Sequence, residues 1–411
     1  MKICVRGSGL AVLAFLSVLC AYAGPLAGAK AAALWCCAVG GFVSALAFLR
    51  KIEITKITFG WGLLLLYVCL SGLMNFPQGL LYAAMFSACV VCMHVQLDER
   101  AYRLLWKLFT GVGVLLAVSV LLQKFFPGFF YAASQKWFFW GNQSEMVYLS
   151  GAVAKHYTGL FIEPSLTGFY LGIAFCLVYG KLFFSAQKSS FVWCVGRICL
   201  LGLFYYALWE TQKRSMILAI SFLSLLFGCA ALVKKPTRRR IFTAIAGGVL
   251  LVLCWSFLAE QISLLLTKGT AQQIELSARE PLWQLAWQMF RQSPFVGNGA
   301  NSYDVAFNES GIRNYFFEFA GAHNGYLQLL AEWGLLGVLL FFPLLFRQVL
   351  KGVKNGLLRS EAPGQEWSFG ALSGIGFIMI YALSGNPFHQ PQELFTLFIL
   401  LGVLKKYETI C

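Results

Sequence analysis

The chain reads as an all-α polytopic membrane protein with about twelve transmembrane helices, both termini in the cytoplasm, and one large outer-face loop containing an amphipathic helix. Three observations predict this. Of its 411 residues, 59% are hydrophobic and 12% charged, and the mean hydropathy is +0.71. A soluble domain cannot hide that much apolar surface, whereas a bilayer can. The apolar residues fall into windows of spanning length. The basic residues, which give a net charge of +15, fall in short clusters between those windows. That is the pattern of orienting charges, and it excludes nucleic acid as a partner.

Taken in order, the windows lie near 9–23, 31–49, 57–74, 79–96, 108–123, 159–180, 190–208, 216–233, 241–259, 323–346, 367–384 and 391–404, so residues 1–411 form a single polytopic domain. The last window is short and predicts a tilted or partly inserted helix. In the first, Ala21-Tyr22-Ala23 has the form of a cleavage site, but the polytopic remainder favours an uncleaved anchor. Lys and Arg counts in alternate connections set the orientation. Lys2 and Arg6, Arg50 to Lys56, Arg100 to Lys107, Lys181 and Lys188, Lys234 to Arg240, Arg347 to Arg359, and Lys405 and Lys406 fall on one side, which is the cytoplasmic side. Segments 124–158 and 261–322 then face outward.

The outer segments carry the residues that need a reason. Lys213 and Arg214 sit in Trp209-Glu210-Thr211-Gln212-Lys213-Arg214-Ser215, an outer turn where cations oppose the orientation bias. A snorkelling pair is one account and an anion site the other. Arg197, within the seventh span near its inner end, is a snorkelling residue. In the long loop, Ser277-Ala278-Arg279-Glu280 has the form of a capping box, with Pro281 early in the first turn. Leu282, Leu285, Ala286, Met289 and Phe290 follow as an apolar stripe flanked by Trp283 and Trp287. This predicts an amphipathic helix lying on the outer membrane face, ended by Ser293-Pro294 and a turn at Gly297-Asn298-Gly299. Arg279 in a first turn opposes the macrodipole, so it is either a solvated surface residue or half of an anion site completed by backbone N–H groups.

His323 opens the tenth span beside this loop. It is either a capping residue or a base whose imidazole a helix N-terminus keeps neutral. Glu332, deeper in the same span, points to a polar bundle interior. Glu163, in Phe161-Ile162-Glu163-Pro164-Ser165, places an acid at the outer end of the sixth span, with His156 nearby and unassigned. The aromatic run from Phe125 to Trp140 reads as an interfacial belt or, less specifically, as stacking surface for sugars.

Other chemistries find little support. Most of the thirteen cysteines lie inside apolar runs, including Cys89 and Cys92, and read as small hydrophobes rather than redox or metal groups. Asp98 and Asp304 are the only aspartates, so no Asp-x-Asp motif exists to bridge a metal and a diphosphate. Walker, His-Glu-x-x-His and serine-elbow motifs are missing too. Neither metal nor other cofactor is expected.

Several of these residues resemble the O-antigen ligase and polymerase superfamily of bacterial polytopic glycosyltransferases. The resemblance lies in Thr211-Gln212-Lys213-Arg214-Ser215, in Arg279 with Trp283 and Met289, and in Pro294-Phe295-Val296-Gly297-Asn298-Gly299. It is strongest in His323-Asn324-Gly325-Tyr326-Leu327 with Glu332-Trp333-Gly334-Leu335-Leu336-Gly337. It covers residues 205–345 as a catalytic region that includes a periplasmic loop at 261–322. It implies a metal-independent, inverting transfer on the outer face of the bacterial inner membrane. The donor would be a glycan on undecaprenyl diphosphate, and the acceptor a second glycan or a lipid-anchored core sugar. Membrane lipids and polysaccharide assembly proteins would be partners. Arg214 and Arg279, with Lys213, would hold the diphosphate; His323 would act on the acceptor hydroxyl; Glu163 would contact substrate. The competing classes are a flippase or transporter of polysaccharide precursors and a structural partner of an assembly complex. A two-halves carrier favours internal repeats and a long central inner loop, whereas this long loop is late and external, and a scaffold leaves the outer cations unexplained.

Overall fold

The computed structural model describes residues 56–94, 99–137, 143–184, 191–234, 271–312, 321–354 and 365–406, with a few isolated positions between 241 and 252. Helices form the whole regular structure of these residues, with no strand among them. They run as α1 (Lys56–Leu73), α2 (Gln78–His94), α3 (Glu99–Phe125), α4 (Pro127–Trp137), α5 (Gln143–Tyr148), a π-helical turn (Leu149–Val153), α6 (Pro164–Phe184), α7 (Phe191–Glu210), α8 (Arg214–Lys234), α9 (Ala271–Gln292), α10 (Ser302–Glu309), α11 (Gly325–Val353), α12 (Gln365–Tyr381) and α13 (Pro391–Lys406).

The chain is a multi-pass membrane protein. Among the described residues, four stretches are long and apolar enough to cross a bilayer: Arg100–Phe125, Pro164–Leu182, Val192–Glu210 and Gly325–Val353. Shorter apolar helices cover Phe59–Leu73, Gln78–His94, Arg214–Ala230 and Pro391–Leu404. The expected spans 9–23 and 31–49, and most of 241–259, lie outside the described residues.

Helix α6 is the hub, packing against α3, α7, α8 and most extensively α12. Small residues let the backbones meet: a Cβ on Gly180 would lie 2.6 Å from Gly370 N. In lipid, where apolar contact alone does not favour association, such close backbone packing is what holds helices together. Helix α7 lies at the periphery, with Val192 and Trp193 largely exposed, the surface a bilayer covers. Cys89 and Cys92, both within α2, are not joined in a disulfide.

Turns that the charge pattern assigns to one side gather at one end of the bundle. Asn75 Nδ2 donates to the carbonyls of Ala300 and Asn301, Gly325 N–H to Ala382, Tyr82 Oη to Phe388, and Tyr157 N–H to Glu210. Lys124, at the end of α3, pairs with Glu210 at 2.6 Å. At the other end, Arg197 Nη1 donates to the Lys181 carbonyl, a snorkelling cation with a defined partner.

The loop helix departs from expectation. Helix α9 begins at Ala271 and carries Pro281 in its interior, so Ser277-Ala278-Arg279-Glu280 does not open it and Arg279 is not in a first turn. Pro281 keeps a helical φ, at the cost of a missing N–H and of crowding by its ring against the carbonyl four residues earlier. Backbone donors of a helix start are therefore not available to build an anion site around Arg279. The apolar stripe is covered by protein as well: Leu282, Ala286 and Met289 pack with Tyr303 and Phe307 of α10 and with Ala322 and Ala331. Only the flank carrying Trp287, 48% exposed, remains open as a membrane-surface helix would be.

Helix α11 is interrupted at Gly334, which sits at φ 59, ψ −170, a conformation available essentially to glycine alone. The break frees carbonyls that the preceding loop collects. Asn298 donates from N–H and Nδ2 to Ala331, Gly299 N–H donates to Glu332, and Tyr67 Oη to Trp333. In return Leu335 N–H reaches Pro294 and Leu336 N–H reaches Phe295. The fit leaves no room for a side chain, since a Cβ on Gly334 would lie 2.5 Å from Gly297 N and Phe295 O. Gly334→Ala is expected to lower the unfolding temperature in detergent and the yield of monodisperse protein, by strain of about 1–3 kcal/mol plus the clash. Gly62→Ala in α1, whose Cβ would meet open space, should leave both unchanged.

Candidate active site

The residues singled out from the sequence come from distant elements: Glu163 precedes α6, Lys213 and Arg214 lie at the α7–α8 turn, Arg279 is in α9, and His323 precedes α11. In the α7–α8 turn, Thr211 N–H and Gln212 N–H bond back to Leu208 and Trp209, and Gln212 takes a left-handed φ of 57. Met216 and Ile217 N–H groups donate to the Lys213 carbonyl, so Lys213 precedes the first turn of α8 and Arg214 opens it. Both side chains are part-exposed.

The His323 turn is built around a cap that His323 does not provide. Asn324 Oδ1 accepts from Leu327 N–H at 3.1 Å, with an extended backbone at φ −153, ψ 101. It is therefore the N-cap. His323 lies one residue outside the helix at φ 50, a costly conformation for a residue with a side chain and one that recurs at functional sites. Gly325 N–H to Ala382 and Tyr326 Oη to Met379, 2.7 Å, dock the turn on the end of α12.

Electrostatics connect these elements. The His323 imidazole is held down at about 4, first by burial and then by the charges of Arg279 and Lys213. Burial, rather than the start of α11, is thus the leading cause, and the ring is neutral near pH 7. Arg279 continues the Leu282–Ala286–Met289 stripe one turn towards the helix start, so it shares the face that α9 turns to the protein. Its charge also bears on Tyr381 at the end of α12, together with Glu393 and Glu163. Glu163 is exposed, accepts from Ser165 Oγ at 3.2 Å, and lies in electrostatic reach of Glu393. Lys213 and Arg279 thus lie within electrostatic reach of His323, and Glu163 and Glu393, the acidic half, share the reach of Tyr381 with Arg279. Arg214 stands beside Lys213 in the chain.

Sequence reasoning passed over Tyr381 and Glu393. Both belong to the last two helices and carry no motif; the one available signal was an acid, Glu393, at the outer mouth of an apolar window. His156 is exposed and held through its backbone, its N–H donating to Ser150 and its carbonyl accepting from Ser150 Oγ. Among the described residues, no three His, Cys, Asp or Glu side chains gather as metal ligands do.

Two comparisons with known proteins bear on this region of the chain. The family model described as O-antigen ligase matches residues 198–342, from within α7 to within α11. The chain is also similar to the exopolysaccharide production protein ExoQ of Rhizobium meliloti (strain 1021). The two are 24% identical over 224 residues, covering 52% of this chain and 51% of that relative, so the similarity spans about half the length of each. Both findings support a resemblance to the O-antigen ligase and polymerase superfamily.

Proposed function

We propose that the protein moves a glycan from an undecaprenyl-diphosphate carrier onto an acceptor sugar at the outer face of the bacterial inner membrane, without a metal and with inversion. The observation that carries this reading is the largely buried imidazole at His323, within electrostatic reach of the Arg279 and Lys213 charges. The acceptor hydroxyl attacks the anomeric carbon from the face opposite the diphosphate and passes its proton to His323. The bond from the anomeric carbon to the phosphate oxygen breaks, and the added negative charge on the leaving undecaprenyl diphosphate is stabilised by Arg279, Arg214 and Lys213. A diphosphate is already a good leaving group, so fixed cations contribute more than an acid. Glu163, on the acidic half, suits hydroxyl groups of the substrate. The name of the Rhizobium relative, an exopolysaccharide production protein, agrees with surface-polysaccharide assembly.

The carrier alternative lacks comparable support. A discontinuous helix in a transporter lines a substrate cavity, but the carbonyls of Ala331, Glu332 and Trp333 at the α11 break are bonded to protein.

The test is transfer by purified protein in nanodiscs, with undecaprenyl-diphosphate glycan, an acceptor glycan and excess chelator. Product is expected, and its absence in the presence of donor binding would sink the reading. The pH profile gives a second check. With His323 held at about 4, kcat/KM should stay level from neutrality down to about pH 5 and fall below it. Bound diphosphate offsets the Arg279 and Lys213 charges and makes the imidazole more basic, so the acid limb of kcat should lie at higher pH. An acid limb of kcat/KM near the ordinary imidazole value would contradict the buried geometry. The stability sign follows from the same shift. The unfolded chain takes up the His323 proton at higher pH than the folded one, so stability falls as pH drops from about 6.5 through about 4.

A further inference from the structure

Beneath the His323 turn, Glu332 is fully buried, and Gln328 and Asn301 approach its side chain with donors. Gln328 Nε2 donates to Oε1 at 3.1 Å, Asn301 N–H donates to Oε2 at 2.8 Å, and His389 Nε2 lies 3.1 Å from Oε2. Gln328 is oriented in turn, because its Oε1 accepts the N–H of Ala322, the residue before His323, at 3.1 Å. One carboxylate therefore joins three separate segments: the loop that fills the α11 break, the α12–α13 turn, and the turn that presents the imidazole.

We infer that Glu332 is the positioning residue of this site, fixing the His323 turn through Gln328 while it anchors the loop at Asn301. The assignment rests on the reading that His323 acts on the acceptor. The hydrogen-bond inventory makes it specific, since only a group that accepts at both ends suits these donors. A glutamine at 332 must turn its NH2 towards either Gln328 or Asn301. Facing Gln328, it forces that amide to flip and strips Ala322 N–H of its acceptor. Facing Asn301, it leaves that backbone N–H buried and unsatisfied.

The exchanged pair restores every bond. With Glu332→Gln and Gln328→Glu together, the carboxylate at 328 accepts Ala322 N–H and the new NH2, while the amide oxygen at 332 accepts Asn301 N–H and His389. Glu332→Gln is expected to lower kcat about 10- to 100-fold, the scale of one orphaned buried donor, with little change in donor KM. The exchanged pair should regain most of that loss. Hydrogen exchange gives a readout independent of turnover: amides of 321–325 should exchange faster in Glu332→Gln and return to the wild-type rate in the pair.

Wild-type kcat in Glu332→Gln, or unchanged exchange at 321–325, overturns the assignment. So does an exchanged pair that folds and binds donor without regaining turnover, or one that fails to accumulate. If Glu332→Gln itself does not accumulate, a folded, active exchanged pair supports the assignment and a folded, inactive one overturns it. If wild-type protein neither binds nor transfers undecaprenyl-diphosphate glycan, the functional reading fails, and the exchange rates still decide the role of Glu332.

Discussion

Arg279→Ala is expected to cut transfer by about 10³-fold or to below detection, as loss of a fixed charge stabiliser does, while folded protein remains in the membrane. The guanidinium sits at the end of a stripe whose packing depends on Leu282, Ala286 and Met289, so truncating it leaves the anchoring of α9 intact. Donor affinity should fall along with kcat, because the same cation meets the diphosphate before and during the reaction. Arg279→Lys should lose much of the activity too, since an ammonium cannot reproduce two parallel guanidinium contacts. Arg214→Ala should behave like Arg279→Ala in turnover and donor affinity. The effect on His323 separates local electrostatics from misfolding. Removing the Arg279 charge takes away one of the causes that depress the imidazole, so the acid limb of the residual activity should move to higher pH. Full activity in both alanine variants would exclude a diphosphate site made by these arginines.

His323→Ala should lower kcat about 10²- to 10⁴-fold, the range of a positioned base, and leave donor binding near wild type. Asn324, not His323, supplies the side-chain cap of α11, so the cap itself survives removal of the imidazole. Binding of undecaprenyl-diphosphate glycan and turnover, measured on the same nanodisc samples, decide the division of labour. Loss of donor binding as severe as in Arg279→Ala would assign the histidine to the diphosphate. Normal turnover would make it structural, and its left-handed backbone would then need another explanation.

Much of the site was legible one residue at a time. Cations at Lys213 and Arg214 stood out because they oppose the orientation bias, and His323 because it borders both the long loop and a span. Their roles were harder to read. The Ser-x-x-Glu pattern at 277–280 pointed to a helix start that the structure moves back to Ala271, with Pro281 inside the helix. The depressed imidazole was anticipated for a different reason: burial leads, followed by two cations from other elements, and neither burial nor a neighbour from the α7–α8 turn or α9 is written in the local sequence. Tyr381, Glu393 and His389 were missed because their meaning is entirely a matter of which turns share an end of the bundle.

By itself the sequence determined that this is a helical multi-pass membrane protein built from successive apolar windows. Those properties are sums over local composition, because each span is selected by its own transfer from water to hydrocarbon. Only the tertiary structure decided that Pro294-Phe295-Val296-Gly297-Asn298-Gly299 and Glu332-Trp333-Gly334 are one device rather than two motifs. A backbone break at membrane depth survives only if its freed carbonyls find donors. Here those donors come from Asn298, Gly299 and Tyr67, segments far apart in the chain whose pairing no local pattern specifies.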